Sequence, residues 1–249
     1  MFYFDVLSLK VNSKLLKVNL FYRTLLLIIL AFSIQCNSKT SEKEEKTIKP
    51  NKNLVEKKIE KKVEIDEDSL NNKNTEIFLE AYGKENLETK VIIKTRFGDI
   101  KLRLFEDVPI HRANFIFLTK MGYFNSTVIY RVAKNFVIQG GNSDNLLTRK
   151  QRSKYGNYLL KSEFRKNRTH KYGALAAARE WEDNPKKLSS PFEFYIVQKK
   201  SGAHHLDGEH TVFGEVISGF ETMEKISNVK VGSDEWPIEE IKLTIEILD

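Results

Sequence analysis

The chain has 249 residues, of which 41% are apolar, so it can bury one sizeable hydrophobic core and carry further segments. Its 41 lysines and arginines against 34 aspartates and glutamates give a net charge of +7, an excess too small to indicate a nucleic-acid partner. Cys36 is the only cysteine, which excludes an intramolecular disulfide and a cysteine-based metal site. We therefore expect one folded domain with appendages.

Residues 1–36 have the layout of an export signal. Basic side chains as far as Arg23 are followed by an apolar run of eleven residues, 24–34, and then by Gln35 and Cys36. Eleven residues are too few to span the hydrocarbon core of a bilayer, which needs about 20. A short apolar run that ends at a cysteine resembles the bacterial lipoprotein signal, which implies that Cys36 becomes lipidated. The alternatives are an ordinary signal peptide and a start codon placed too early, with Cys36 incidental in both.

Residues 37–89 are rich in alternating lysine and glutamate, and we interpret them as a charged linker. Such a segment buries too little apolar surface to offset the entropy of ordering it. Near its end, Ile77, Phe78, Ala81 and Tyr82 form an apolar cluster that can dock on the domain edge as a short helix. Behind a lipidated cysteine, this linker would tether the domain to a membrane of the bacterial cell envelope, facing the periplasm or the exterior.

The pattern changes at residue 90, where apolar and polar residues begin to alternate with the two-residue period of a β-strand. Ile100, Leu102 and Leu104 alternate with charged residues, and a turn at 97–99 separates them from an apolar run at 91–94. This arrangement predicts an antiparallel hairpin. Five further β-rich runs follow, at residues 128–132, 135–139, 194–197, 211–216 and 241–247.

Two amphipathic helices are predicted within this β-rich region. Residues 109–121 begin with Pro109, end before Gly122 and carry apolar residues on one face, and residues 220–226 form a shorter helix. The spacing of the strands suits a barrel. Composition and periodicity therefore predict a mainly β domain at residues 90–249, a barrel covered by two helices.

Seven short motifs in this domain resemble the cyclophilin family, in the family's order and with its spacing. The strongest spans residues 129–141, which resemble F-H-R-V-x-x-x-F-x-x-Q-G-G with Arg131, Phe136 and Gln139 in register. The others resemble T-x-F-G-D-I at 95–100, P-x-x-x-x-N-F at 109–115, G-Y at 122–123, G-x-L-x-M-A at 173–178, Q-F-F-I at 193–196 and L-D-G-x-H-x-V-F-G at 206–214. The resemblance implies an eight-stranded antiparallel barrel capped by two α-helices.

The resemblance also implies an activity, the cis–trans isomerisation of X-Pro bonds in proline-containing polypeptides. Rotation about a peptide bond meets a barrier of about 20 kcal/mol, because resonance gives the C–N bond double-bond character. A guanidinium that donates to the proline nitrogen as the bond twists stabilises the transition state. The family pattern assigns catalysis to Arg131, Phe136 and Gln139, with no cofactor, no metal and a monomeric enzyme.

The same pattern assigns a substrate-binding groove. Its apolar members surround the proline ring, whereas the backbone at residues 178–179 holds the residues before the proline. The substrate-binding residues are Val137, Ala178, Arg179, Glu193, Tyr195, Leu206 and His210.

Three departures from the family pattern bear on this groove. Glu193 replaces a glutamine near the catalytic arginine, and a carboxylate at this position is able to pair with Arg131, either orienting it or competing with the substrate. Arg179 replaces an asparagine that contacts substrate partly through its backbone, so we expect the backbone contacts to persist. His205 stands where a tryptophan accompanies strong cyclosporin binding, so we expect weak sensitivity to that drug.

Two other functions stay open at the level of the sequence. A cyclophilin barrel can bind proline-containing segments as a membrane-tethered module or chaperone with little turnover, and Glu193 and Arg179 motivate that alternative. A metal site is the other alternative, because four possible ligands cluster in one segment: His204, His205, Asp207 and His210. Such a site needs at least three side chains converging on one ion, whereas the family pattern places the last of these four in the proline pocket.

Overall fold

The computed structural model describes residues 70–248, and its central feature is a closed barrel of eight antiparallel strands. In chain order the strands are β1 (Leu70–Asn71), β2 (Lys90–Thr95), β3 (Gly98–Leu104), β4 (Val128–Ala133), β5 (Val137–Asn142), β6 (Gly156–Asn157), β7 (Ala174–Ala177), β8 (Phe194–Val197), β9 (Val212–Ser218) and β10 (Ile241–Ile247). The helices are α1 (Thr75–Glu85), α2 (Pro109–Lys120), α3 (Leu146–Tyr155) and α4 (Phe220–Ser227). The fold class predicted from the sequence is confirmed.

Neighbouring strands follow the order β10–β2–β3–β9–β7–β8–β5–β4 around the barrel, and β10 closes it by pairing with β4. The hairpin predicted from the alternation is β2–β3, with Ile93 opposite Ile100. Strands β1 and β6 form a separate parallel pair. Alternate side chains along β3 and β10 are buried, because one face of each strand points into the barrel.

An aromatic cluster joins helix α2 to the barrel. The ring centroid of Phe115 on α2 lies 4.8 Å from that of Phe124, 5.6 Å from that of Phe194 on β8 and 5.5 Å from that of Phe213 on β9. All four rings are buried. Aromatic pairs at such distances contribute about 0.5–1.5 kcal/mol each beyond the burial of their surface, so the cluster fixes the helix against the barrel.

The two helices predicted from the sequence are α2 and α4. Helix α2 begins at Pro109, because the first turn of a helix does not use the N–H that proline lacks, and it ends at Lys120. Gly122, with a left-handed φ of 70°, turns the chain shortly afterwards. Residues 70–248 also contain α1 and α3, and none of the four helices is long and apolar enough to cross a lipid bilayer.

Helix α1 packs on α2 through aromatic rings and one buried arginine. The ring centroid of Phe78 lies 5.2 Å from that of Phe117, with the two planes at 77°. Arg112 on α2 donates hydrogen bonds to the carbonyl oxygens of Gly83 at 2.8 Å and Asn86 at 2.7 Å. These carbonyls lie at the end of α1, where the helix itself offers no donor, so the arginine completes the helix terminus.

The domain boundary predicted at residue 90 is therefore the start of the barrel rather than the start of the packed structure. The apolar cluster near the end of the predicted linker, residues 37–89, forms helix α1, because Phe78 and its neighbours find aromatic partners on α2. Residues 1–69 lie outside the described part of the chain. The export signal, the lipidation of Cys36 and the rest of the linker stay predictions.

Helix α3 follows β5 and has no counterpart among the predicted elements. Its sequence, LLTRKQRSKY, is too polar to show the apolar stripe by which a helix is recognised. It forms because a local cap holds its first turn and a contact with a distant residue holds its end. The side-chain oxygen of Asn145 accepts a hydrogen bond from the N–H of Thr148 at 2.8 Å, and the Tyr155 hydroxyl donates to the carbonyl oxygen of Met121 at 3.1 Å.

Candidate active site

An open groove of about 1070 Å³ lies over the adjoining strands β4, β5 and β8. Arg131 on β4 is opposite Gln139 on β5, which in turn is opposite Tyr195 on β8. Residues in register on neighbouring strands point to the same face of a sheet. The pairing of the strands therefore places these three side chains in one row along the groove.

All ten residues that the resemblance assigned to the site line this groove. They come from segments far apart in sequence, which the barrel brings together. They are Arg131, Phe136, Val137, Gln139, Ala178, Arg179, Glu193, Tyr195, Leu206 and His210. The geometry thus unites the predicted set, while the role of each residue in binding or catalysis stays a prediction.

The apolar part of the groove is a pocket walled by Val137, Tyr195 and Leu206, all of which are buried. Phe136 forms a further wall, and its ring stacks on that of His205 with centroids 5.6 Å apart and planes at 21°. The residue at the position of the family's tryptophan therefore still presents a flat ring to the pocket. A five-membered proline ring is small and apolar enough to be bound by such walls.

His210 lies in the pocket wall as a neutral ring. Its Nδ1 atom lies 3.1 Å from the carbonyl oxygen of Ala177, so Nδ1 carries the proton and donates it to this acceptor. Burial lowers the pKa of His210 to about 4, because the interior disfavours the charged form. The ring is therefore uncharged at neutral pH and offers the pocket an apolar face.

A second histidine, His170, holds the Tyr195 side chain through its hydroxyl group. The Tyr195 hydroxyl lies 3.0 Å from Nε2 of His170, whose Nδ1 lies 2.7 Å from a carboxylate oxygen of Asp207. Burial lowers the pKa of His170, so the ring is neutral, donates to Asp207 and accepts from the tyrosine. This chain of hydrogen bonds holds the tyrosine ring that forms the pocket wall.

The guanidinium of Arg131 is held by two side chains. Its Nε donates to Oε2 of Glu235 at 2.7 Å, and its Nη2 lies 2.5 Å from the same oxygen. Its Nη1 donates to Oε1 of Gln139 at 2.5 Å. The Arg131 side chain is 34% exposed, so the guanidinium is both anchored and open to the groove.

The ion pair between Glu193 and Arg131 that the sequence suggested does not form. Glu193 pairs instead with Arg152 of helix α3, with 2.6 Å between Oε1 and Nη2, and it accepts a hydrogen bond from the Tyr130 hydroxyl at 3.2 Å. Burial raises the pKa of Tyr130, so this hydroxyl stays protonated and can donate. The physical reason is that α3, an unpredicted element, supplies the carboxylate with a cation of its own.

Arg179 is part of the groove wall rather than a free charge. Its Nε donates to the carbonyl oxygen of Glu209 at 2.7 Å, and its Nη2 lies 2.9 Å from the carboxylate of the same residue. Its guanidinium also lies 4.2 Å from the ring centroid of Trp181. Only 3% of the side chain is exposed, so the side chain that replaces the family's asparagine is already engaged.

The side chains at the site that were not predicted include Arg152, Trp181 and Glu235. Arg152 belongs to a helix without a sequence signature, and Glu235 lies 104 positions from its partner Arg131. Neither position carries a local signal. Trp181 carries a signal, because it is a large apolar residue outside the predicted strands and helices, and it follows the motif at 173–178 closely. It is 60% exposed beside the groove.

The four possible metal ligands do not converge. Asp207 contacts His170 and His204, His205 stacks on Phe136, and the proton of His210 is directed to a backbone carbonyl. Within residues 70–248, no group of three histidine, cysteine, aspartate or glutamate side chains could hold a metal ion.

Comparison with known proteins agrees with this geometry. The family described as cyclophilin type peptidyl-prolyl cis-trans isomerase matches residues 90–246. A protein of Staphylococcus saprophyticus, named provisionally as a peptidyl-prolyl cis-trans isomerase, is 32% identical over 190 residues, which cover 65% of this chain and 93% of that protein. Its similarly named counterpart in Staphylococcus epidermidis is 31% identical over 189 residues, covering 65% of this chain and 91% of the relative.

A solved structure leads to the same family. The crystal structure of a cyclophilin type peptidyl-prolyl cis-trans isomerase of Cryptosporidium parvum is 30% identical, with a TM-score of 0.56, and the match covers 65% of this chain and 98% of that one. The same protein in the presence of the dipeptide Ala-Pro matches with a TM-score of 0.55. The barrel, the groove and these relatives together establish that this chain belongs to the cyclophilin-type peptidyl-prolyl cis-trans isomerases.

Proposed function

We propose that this enzyme accelerates the isomerisation of X-Pro bonds in exported proteins, with Arg131 stabilising the twisted amide. The observation that carries the proposal is the position of the Arg131 guanidinium, in one groove with the apolar pocket of Phe136, Tyr195 and Leu206. A charged donor beside an apolar pocket suits a substrate whose polarity changes mainly at the proline nitrogen during the reaction. All of these residues belong to a single chain, which is consistent with a monomeric enzyme.

The chemistry needs a donor that keeps its proton. As the C–N bond twists, the lone pair localises on the nitrogen, which becomes a hydrogen-bond acceptor that the planar amide lacks. The guanidinium of Arg131 stays charged at any working pH, so it stabilises the twisted state more than either planar state. Gln139 would bind the substrate backbone with its amide nitrogen, which now lies 3.1 Å from the Tyr130 hydroxyl.

The test is the rate of isomerisation of a short X-Pro peptide by the purified protein and by Arg131→Ala. We expect the variant to lose about 100-fold in kcat/KM or more, as when one donor to a developing charge is removed from an enzyme. Arg96→Ala is the matched control, because Arg96 also pairs with a glutamate, Glu239 at 2.9 Å, on an exposed surface. A variant at Arg131 that keeps the parent rate would contradict the proposed role.

The alternative function is a membrane-tethered module or chaperone that binds proline-containing segments with little turnover. The ion pair between Arg131 and Glu235 favours this alternative, because it neutralises part of the charge that catalysis would use. The two functions differ in one measurable outcome. A binding module would bind the X-Pro peptide with the same affinity in the parent and in Arg131→Ala, and neither protein would accelerate isomerisation.

We further propose that Cys36 carries the lipid that anchors the enzyme to a membrane of the bacterial cell envelope, facing the periplasm or the exterior. The support is the short apolar run at 24–34 that ends two residues before this cysteine. Proline isomerisation takes tens of seconds or longer without a catalyst, so exported proteins that fold near the membrane are suitable substrates.

The lipid anchor is tested by expressing the parent and Cys36→Ser in a bacterium fed with a labelled fatty acid. We expect the parent to incorporate the label and to sediment with membranes, whereas the variant takes up no label and is released. Ser38→Ala, two positions away, is the control for a general effect on export. Equal labelling of parent and Cys36→Ser would exclude this cysteine as the attachment site.

A further inference from the structure

The loop between α4 and β10 approaches the groove at Arg131. A tight turn shapes its tip: the N–H of Gly232 donates to the carbonyl oxygen of Trp236 at 2.9 Å, and the N–H of Glu235 donates to that of Gly232 at 3.1 Å. The carbonyl oxygen of Glu235 in turn accepts a hydrogen bond from the N–H of Val132 at 2.9 Å. The loop is thus fastened to β4 at the residue that follows Arg131.

The loop contacts β4 on the other side of the arginine as well. The ring centroid of Trp236 lies 5.7 Å from that of Tyr130, the residue before Arg131. A backbone hydrogen bond and an aromatic contact therefore flank the arginine along the strand. These two contacts fix the distance between the loop and the base of the Arg131 side chain.

The carboxylate of Glu235 holds one edge of the guanidinium. One oxygen accepts from Nε at 2.7 Å and lies 2.5 Å from Nη2, while Gln139 takes one donor of Nη1. A guanidinium has five N–H groups, so two have no protein partner among residues 70–248. Hydrogen bonds between charged groups are shorter and stronger than neutral ones, so the edge facing the loop is firmly held.

The backbone of Glu235 is strained at the same position. Its φ is +63°, in the left-handed region that only glycine adopts freely. A residue with a side chain is unfavourable in this left-handed region and persists there only where the surroundings enforce it. Here the turn, the bond to Val132 and the ion pair to Arg131 enforce it. The strain is thus located at the residue that holds the guanidinium.

We infer that Glu235 is a positioning residue, which acts through Arg131 to aim the two remaining donors at the proline nitrogen. The inference rests on the proposed role of Arg131. The Glu235 side chain is 42% exposed, so water screens the field that its carboxylate exerts on a substrate in the groove. The main effect of Glu235 is therefore to orient the guanidinium of Arg131 and not to neutralise its charge. Glu235 therefore raises kcat without contributing to the affinity for the peptide.

The experiment compares Glu235→Ala and Glu235→Gln with the parent, measuring kcat and the Kd of an X-Pro peptide separately. We expect kcat to fall about tenfold in Glu235→Ala and about threefold in Glu235→Gln, which keeps an acceptor but loses the charge. The Kd should change less than about twofold, because no contact with the planar ground state is lost. Glu239→Ala, which removes the exposed carboxylate that pairs with Arg96, should behave as the parent.

Two further readouts separate positioning from a general loss of stability. In the Arg131→Ala background, Glu235→Ala should have no additional effect on kcat, because its effect passes through the arginine. The Nε–H proton of Arg131 should exchange slowly with water in the parent and about tenfold faster in Glu235→Ala, by NMR. Unchanged kcat in Glu235→Ala with a strongly impaired Arg131→Ala would overturn this inference alone. A fully active Arg131→Ala would overturn the proposed function itself.

Discussion

The groove combines an exposed, charged side chain with buried, uncharged ones. The guanidinium of Arg131 is charged and open to solvent, whereas His210 and Tyr195, a short distance along the same groove, are buried. The His210 ring keeps its neutral form because its environment lowers its pKa to about 4. A buried neutral histidine binds no proton at a pH where the unfolded chain does, so it couples the stability of the fold to pH.

The lowered pKa of His210 makes the stability of the fold depend on pH. Between pH 6.5 and about 4, the unfolded chain protonates this residue and the folded protein does not, so the free energy of unfolding falls as the pH falls. We expect His210→Gln to lose about 2 kcal/mol less than the parent when the pH is lowered from 7.0 to 4.5. Urea unfolding at both pH values measures this difference. Equal losses in the two proteins would show that the His210 ring is accessible to protons in the fold.

At the scale of elements, side chains outside the barrel strands complete the groove. Helix α3 supplies Arg152 to Glu193, and the loop before β10 supplies Glu235 to Arg131. The Tyr130 hydroxyl and Gln139 link the two pairs, because Gln139 donates to the tyrosine at 3.1 Å and the tyrosine donates to Glu193. Each carboxylate therefore has its own cation, and two donors of Arg131 are left for a substrate.

The prediction for α3 is that Arg152 protects Arg131 from competition. Without Arg152, a largely buried carboxylate at Glu193 lacks its cation and competes with the substrate for the donors of Arg131. We expect Arg152→Ala to lower kcat/KM for an X-Pro peptide about tenfold, and the second change Glu193→Gln to restore it to within about threefold of the parent.

The control for this prediction is Arg149→Ala on the exposed side of the same helix. Among residues 70–248 its guanidinium makes one long contact, 3.4 Å to the carbonyl oxygen of Asp144, and it does not line the groove. Its kcat/KM should equal that of the parent. If the double variant is as impaired as Arg152→Ala alone, the loss comes from the structure of α3 and not from the freed carboxylate.

At the scale of the whole molecule, the barrel and the groove could be predicted because the sequence patterns that indicate them occur several times along the chain. Strands with one buried face show a two-residue period, as in β3 and β10, and the ordered motifs locate all ten predicted residues that line the groove. Each motif supports the others, so one replaced residue, such as Tyr130 in place of the motif's histidine, does not obscure the pattern.

Helix α3 and the ion pairs of the groove could not be predicted, because the contacts that form them join residues far apart in sequence. Helix α3 is stabilised by its cap and by contacts with distant residues rather than by an apolar face, and Glu235 reaches Arg131 only after the barrel has closed. The partner of Glu193 could not be predicted for the same reason, because this cation, Arg152, lies on α3. Long-range ion pairs depend on the folded arrangement of elements, which a periodic pattern does not encode.

The role of Arg131 is tested most directly by NMR exchange spectroscopy of an Ala-Pro-containing peptide with the parent and with Arg131→Ala. Cis and trans signals are followed at equilibrium, and binding is measured in the same samples. We predict exchange between the two isomers with the parent, and with Arg131→Ala the same shifts on binding but an exchange rate at least about 100-fold lower. Exchange at the parent rate in Arg131→Ala would contradict the claim that this guanidinium stabilises the twisted amide.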